Sequence, residues 1–170
     1  NALIADLDKL PLPDYEGFEY EYYLTHHHGY ADTDGRPTPR VANVITSRNC
    51  IAKCTFCYRL MKGGHRVRTI ENTMAEVKYL IEKYGVTDID LIDEMFANDK
   101  KRIYDFCKGI KPLGVRWQCQ LRVGVIDRDV LATMKEAGCH CISYGFESAS
   151  KKVLKSMRKG AHPKQFEDVI

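Results

Sequence analysis

The sequence predicts an α/β fold in which parallel strands are joined by crossover helices. Two observations carry that prediction. From Val41 onward, short apolar runs suited to strands alternate four times with segments of helical period, the pattern of β/α units. The polar clusters of the chain also fall where those strands end, and parallel β/α units place their functional loops at the carboxyl ends of their strands.

Residues 1 to 40 come first and carry four of the six prolines, many tyrosines and no sustained period, so they read as an irregular leader or interdomain linker lying on a neighbour's surface. The first strand is Val41 to Ile45. A helix follows through Ile70, Met74, Val77, Ile81 and Tyr84, with Thr69 to cap its start and Gly85 past its end. The second strand is Ile89 to Ile92, and Asn98 is the expected cap of a helix using Ile103, Phe106 and Ile110. The third strand is Val115 to Leu121. Asp127 caps a helix through Val130, Leu131 and Met134, which Gly138 closes before a fourth strand, Cys141 to Tyr144, and a helix carrying Val153, Leu154 and Met157. Pro163 to Ile170 reads as a helix that has just begun, and the chain as a piece of a longer one.

The loop after the first strand holds Cys50, Cys54 and Cys57, spaced by three and then two residues. Cysteine-ligated four-iron cubanes ordinarily take four thiolates, so three leave one iron open to a small molecule, and an open metal position signals chemistry. A structural zinc site completed by His65 or by a distant cysteine is the plain alternative. A fully ligated electron carrier is another, with Cys107, Cys119, Cys139 or Cys141 as fourth ligand. Alternation sends Cys139 and Cys141 to one strand face, where they, like Cys107 and Cys119, read as small buried hydrophobes. His26-His27-His28 reads as loop, and Gly63-Gly64 as backbone that lets the chain cross the mouth of the site.

The composition, 44% hydrophobic and 29% charged over 170 residues, is that of one globular domain. No apolar run approaches the roughly 18 residues that span a membrane. Seven cysteines, an odd number with three at metal spacing, fit a reducing compartment, so the expected address is the cytoplasm. A net charge of +3 gives no footprint for nucleic acid; Lys100-Lys101-Arg102 and Lys151-Lys152 read as solvated helix starts.

The cysteine motif, with Phe56 just before its last cysteine, resembles that of the radical S-adenosylmethionine (SAM) enzymes. The similarity continues through LIDEMFANDKKR (91–102), WQCQLRVGVID (117–127), MKEAGCHCISYGFESAS (134–150) and VLKSMRKG (153–160). These phrases are most similar to the branch associated with an upstream cobalamin-binding domain, whose linker LDKLPLPDY (7–15) resembles. The resemblance implies a partial (β/α) barrel of parallel strands, with about four of six units present in 41–170 and a leader from a preceding domain in 1–40.

It also implies roles. Cys50, Cys54 and Cys57 would hold a [4Fe-4S] cluster whose fourth iron binds SAM, and one electron would cleave SAM to a 5'-deoxyadenosyl radical. Asp93 and Glu94 match the place where relatives receive the SAM amino group; the more common pattern there is Gly-Gly-Glu, and either carboxylate is open as the acceptor. Glu147 and Ser148 match the ribose site, Lys159 the partner of the SAM carboxylate, and Arg122 a branch position whose role is open. The expected outcome is cobalamin-dependent methylation, or a related rearrangement, of a small molecule, with an electron donor such as flavodoxin or ferredoxin. No Asp-x-His-x-x-Gly cobalamin-ligand pattern occurs in 1–170, so a cobalamin domain would precede Asn1. The alternative within the superfamily is a methylthiotransferase acting on transfer RNA.

Overall fold

The computed structural model describes residues 3–26, 39–58 and 63–167. His27 and His28 of the histidine run, and the end of the last expected helix at 168–170, lie outside them. A four-stranded parallel sheet has the order β1 (Val41–Val44), β4 (Asp88–Leu91), β5 (Arg116–Leu121), β6 (Cys139–Tyr144). Helices α2 (Ile70–Tyr84), α3 (Lys100–Ile110) and α4 (Arg128–Glu136) cross between successive strands, as parallel pairing requires. This is the expected α/β series of β/α units.

Each crossover helix starts on a side chain that accepts from its first turn. Thr69 accepts from the Asn72 N–H, Asp127 from Val130, and Asp99, rather than the expected Asn98, from Arg102; such a cap stabilises by about 1 kcal/mol. Gly85 ends α2 in the left-handed region, where glycine pays no Cβ penalty.

One face of the sheet is packed and the other is open. Successive side chains of β5 alternate, so Trp117, Cys119 and Leu121 join a core with Ile103, Phe106 and Ile110 of α3 and Val130 and Met134 of α4. Phe106 meets Trp117 edge-on at 5.0 Å, and the Trp117 indole donates to the Ala137 carbonyl at 2.9 Å. On the opposite face Ile45 and Ile92 stay exposed beside Asn43.

Three findings differ from expectation. The leader contains a 3-10 turn at Leu7–Lys9 and a helix α1 (Tyr20–Thr25), and it packs on this domain. Leu7, Tyr15 and Leu24 are buried, and Tyr15 and Tyr20 pack against Tyr79 and Tyr84 around α2. A two-residue hairpin, β2 (Ser47–Arg48) with β3 (Arg66–Val67), brackets the cysteine loop. The fourth strand begins at Cys139, and a register shift against Trp117 and Gln118 inserts His140 as a bulge. That bulge breaks strict alternation, so Cys139 and Cys141 are half-buried rather than buried.

Candidate functional site

The cysteine loop is fixed at its root before it reaches any ligand. Asp93, at the carboxyl end of β4, is 1% exposed and accepts from the Thr46 N–H (2.7 Å), the Thr46 hydroxyl (2.6 Å) and the Ser47 N–H (2.7 Å). Arg102 of α3 closes the same knot, donating to the Thr46 carbonyl and hydroxyl, the Phe96 carbonyl and the Arg68 carbonyl. Burial pushes the Asp93 carboxyl above the usual carboxylate range, against those hydrogen bonds and the Arg102 charge. Asn49, itself at φ 68°, then donates to the carbonyls of Gly63 and Gly64 and ties the two ends of the loop together.

Above that root lies a cavity of about 520 Å³, within the size range of small-molecule sites. All three loop thiols line it: Cys50 half-buried, Cys54 buried, Cys57 exposed. Among the described residues no three His, Cys, Asp or Glu side chains converge as one metal ion would need. A cubane instead takes one thiolate per iron, and three free thiols on one cavity wall are a donor set that fits it. His65, the expected zinc alternative, does not line the cavity, and its Nε2 is engaged by the Met95 carbonyl at 3.1 Å. Cys107, Cys119, Cys139 and Cys141 are likewise absent from its wall.

Opposite the thiols, the loop after β6 supplies a charged cradle. Glu147 sits at φ 61°, and its carboxylate accepts from the Lys159 ammonium at 3.0 Å. The Lys159 side chain is only 10% exposed and lies 5.5 Å from the Phe56 ring centre, within cation–π range. Gly145 leaves the room for this pair: a Cβ there would stand 2.7 Å from Lys159 Nζ and 2.8 Å from Glu147 Oε1. Arg122, after β5, donates to the Lys159 carbonyl and so holds the turn that delivers the lysine. The Thr55 N–H donates to the Met157 carbonyl at 2.9 Å, joining cysteine loop and cradle directly.

The structure therefore gathers Phe56, Glu94, Arg122, Glu147 and Lys159 with the three cysteines on one cavity and leaves two expected residues out. Asp93 lies beneath the loop, bonded to its root. Ser148 accepts from the Ser150 N–H at the start of α5 (Lys151–Ser156). Gln120 and Ser143, partners across β5 and β6, line the wall although the sequence reading passed over them. Gln120 was signalled by the polar positions that alternate with Trp117, Cys119 and Leu121, and Ser143 is its cross-strand partner.

The model of the radical SAM superfamily matches residues 44–170. An uncharacterized methyltransferase of Pyrococcus horikoshii is 33% identical over 99% of this chain and 35% of its own length. The cytidylyl-2-hydroxyethylphosphonate methyltransferase of Streptomyces wedmorensis is 26% identical over 93% of this chain and 30% of its own. A putative methylthiotransferase of Methanocaldococcus jannaschii is 27% identical over 77% of this chain and 32% of its own. The chain thus spans about a third of the length of these curated relatives. The radical SAM methyltransferase TsrM of Kitasatospora setae, solved with cobalamin and a [4Fe-4S] cluster bound, superposes with a TM-score of 0.66 at 17% identity, over 82% of this chain and 29% of that one; the likeness is one of fold.

Proposed function

Because the chain belongs to the radical SAM superfamily, we propose that it carries the SAM-cleaving part of a methyltransferase that uses cobalamin and acts on a small molecule. The observation that carries this reading is the single cavity lined by three thiols, two carboxylates, one buried ammonium and one guanidinium. When bound, the cluster and SAM supply a one-electron cleavage of the sulfonium carbon–sulfur bond.

The chain's own residues bind and orient. Cys50, Cys54 and Cys57 hold the cluster as thiolates, and the buried knot of Asp93 and Arg102 keeps their loop in register with β4. Glu94 accepts from the SAM amino group; it takes this role over Asp93 because it reaches the cavity. Lys159 spends one donor on Glu147 and has two more for the SAM carboxylate. Glu147 is left with acceptor capacity for ribose hydroxyls. Phe56 shields the ammonium from water, which strengthens its electrostatic reach, and Arg122 positions Lys159 through its backbone.

In the same reading, residues 1–40 lead from a domain that carries cobalamin, and residues 41–170 begin the radical SAM core. A reduced flavodoxin or ferredoxin supplies the electron, in the cytoplasm. No helix among the described residues is long and apolar enough to cross a membrane.

Anaerobic cluster reconstitution followed by electron paramagnetic resonance of the reduced protein tests the proposal. The expected result is a cubane signal that changes when SAM is added. A signal indifferent to SAM, or zinc in place of iron, overturns it.

A further inference from the structure

One face of the domain carries basic side chains that no carboxylate among the described residues pairs with. Residues 149–166 contain six of the chain's 26 Lys and Arg and none of its 23 Asp and Glu, so this stretch is +6 while the rest of the chain is −3. Lys159 is turned into the cavity; the others are on the surface. Lys151, Lys155 and Arg158 follow at spacings of four and three, which puts them on one side of α5 and its end, with Lys152 beside them. All four are exposed. The buried side chain of helix α5 is Leu154, which packs with Val123 and Phe166.

Four other surface lysines are matched, Lys83 with Glu16, Lys100 with Asp127, Lys101 with Asp105 and Lys111 with Glu136. Lys53, Lys78, Lys108 and Lys135, unmatched among the described residues, are scattered singly along the chain rather than gathered in one acid-free stretch. Among the described residues no carboxylate pairs with Lys151, Lys152, Lys155 or Arg158. A groove of about 430 Å³ runs between Lys151, Lys155, Arg158 and His162.

The position of this face matters as much as its charge. The hydrogen bond from Thr55 to Met157 places the end of α5 against the cysteine loop, one residue from Arg158. On the same loop Ile51 and Tyr58 are 56% and 80% exposed. An exposed, unpaired basic surface beside a redox centre fits an acidic protein that must bring its own redox group close to that centre.

We propose that the Lys151, Lys152, Lys155 and Arg158 face, together with the exposed side of the cysteine loop, is the docking surface of an acidic one-electron donor protein. The donor loses one electron there and the cluster gains it. This deepens the functional reading above and rests on it for the identity of the acceptor.

The test uses cluster-loaded protein, reduced flavodoxin as probe, and the variant K151E/K152E/K155E, whose substitutions lie outside the cavity. Stopped-flow absorbance reads the second-order rate constant of cluster reduction, and flavin fluorescence titration reads binding. Charge steering raises association rates by about 10- to 1,000-fold, so the variant is expected to slow reduction by flavodoxin at least about tenfold and to weaken binding. The wild-type rate is expected to fall with ionic strength and the variant's to lose that dependence. Reduction by dithionite, which needs no docking, stays unchanged, as does the spectral response to SAM. Unchanged reduction and binding by flavodoxin in the variant overturn the proposal, and so does a variant that loses only transfer RNA binding, which would assign the face to RNA. The titration needs no cluster chemistry, so a protein that binds flavodoxin through this face yet assembles no cubane refutes the proposed function and leaves the docking surface standing.

Discussion

The carboxylate of Asp93 receives both the N–H and the hydroxyl of Thr46, at 2.7 and 2.6 Å, and with the Ser47 N–H these bonds fasten the root of the cysteine loop to the end of β4. Its neighbour Glu94 points into the cavity. Removing the two side chains should therefore give opposite phenotypes. Asp93→Ala strands three donors beneath the loop, and a stranded buried donor costs about 1–3 kcal/mol, so the melting midpoint should drop and iron content should fall with it. Glu94→Gln removes a charged acceptor and nothing structural. Its melt and iron content should match wild type while the SAM dissociation constant rises about 10- to 100-fold, the worth of one hydrogen bond to a charged group. Calorimetry with SAM, beside thermal melts, separates the two; an Asp93→Ala protein that melts normally would remove the knot from the account.

Gly145 offers a narrower probe of the cradle. A methyl group there meets the ends of Lys159 and Glu147, which are flexible and can be displaced without unfolding anything. Gly145→Ala should leave the unfolding free energy within about 0.5 kcal/mol of wild type, as for changes that spare the core. The ammonium and carboxylate would then sit wrongly for a ligand, and SAM affinity should fall at least about tenfold, roughly one hydrogen bond's worth. Equal affinity in the variant and wild type would show that the pair does not face bound SAM.

The β/α series was legible because its helices and strands are long enough to show a period, and because caps such as Thr69 and Asp127 name themselves. Asp93 and Glu94 were not separable in advance. Adjacent residues near a strand end turn to opposite sides, but β4 stops at Leu91, so the alternation that would say which one faces the cavity has lapsed. Asn98 and Asp99 are equally able caps by type, and only the backbone at Asp99 decides between them. Hairpin β2–β3 has two residues per strand, too few for any pattern. The packing of the leader depends on tyrosines separated by about sixty positions, Tyr15 and Tyr20 against Tyr79 and Tyr84, a tertiary contact with no local signature.

Alkaline pH should destabilise the fold through buried acids that hold their protons. Burial, with a smaller contribution from Cys139, raises the Cys107 thiol from 9.0 to about 12. Burial, then Cys119 and Cys139, raises the Tyr144 phenol from 10.0 to about 12. The unfolded chain releases these protons near pH 9 to 10 and the native chain only near 12. The stabilisation is therefore complete below about pH 9 and is lost as pH rises through about 12. The Tyr144 hydroxyl is buried without a hydrogen-bond partner among the described residues, so Tyr144→Phe should raise stability at pH 7 by about 1 kcal/mol and flatten the alkaline decline. Denaturant melts from pH 7 to 12 check both; a decline as steep in the variant as in wild type would exclude Tyr144 as a source.

The seven thiols should divide sharply when substituted. A thiolate is what binds iron, and the cavity places Cys50, Cys54 and Cys57 where a cluster can use them. Burial holds the Cys107 and Cys119 thiols protonated, and Cys139 lies off the cavity wall, its thiol directed to the Cys141 carbonyl at 3.6 Å. Cys54→Ala should thus abolish assembly of a four-iron cluster, and Cys139→Ala should preserve it. The measurement is iron and sulfide per chain after anaerobic reconstitution, read beside a thermal melt that confirms the fold. A folded Cys139→Ala protein without four irons would make Cys139 a ligand and move the cluster toward the back of the sheet. A Cys54→Ala protein that keeps four irons would require a fourth thiolate already within reach of the loop, and among the described residues no other cysteine lines the cavity.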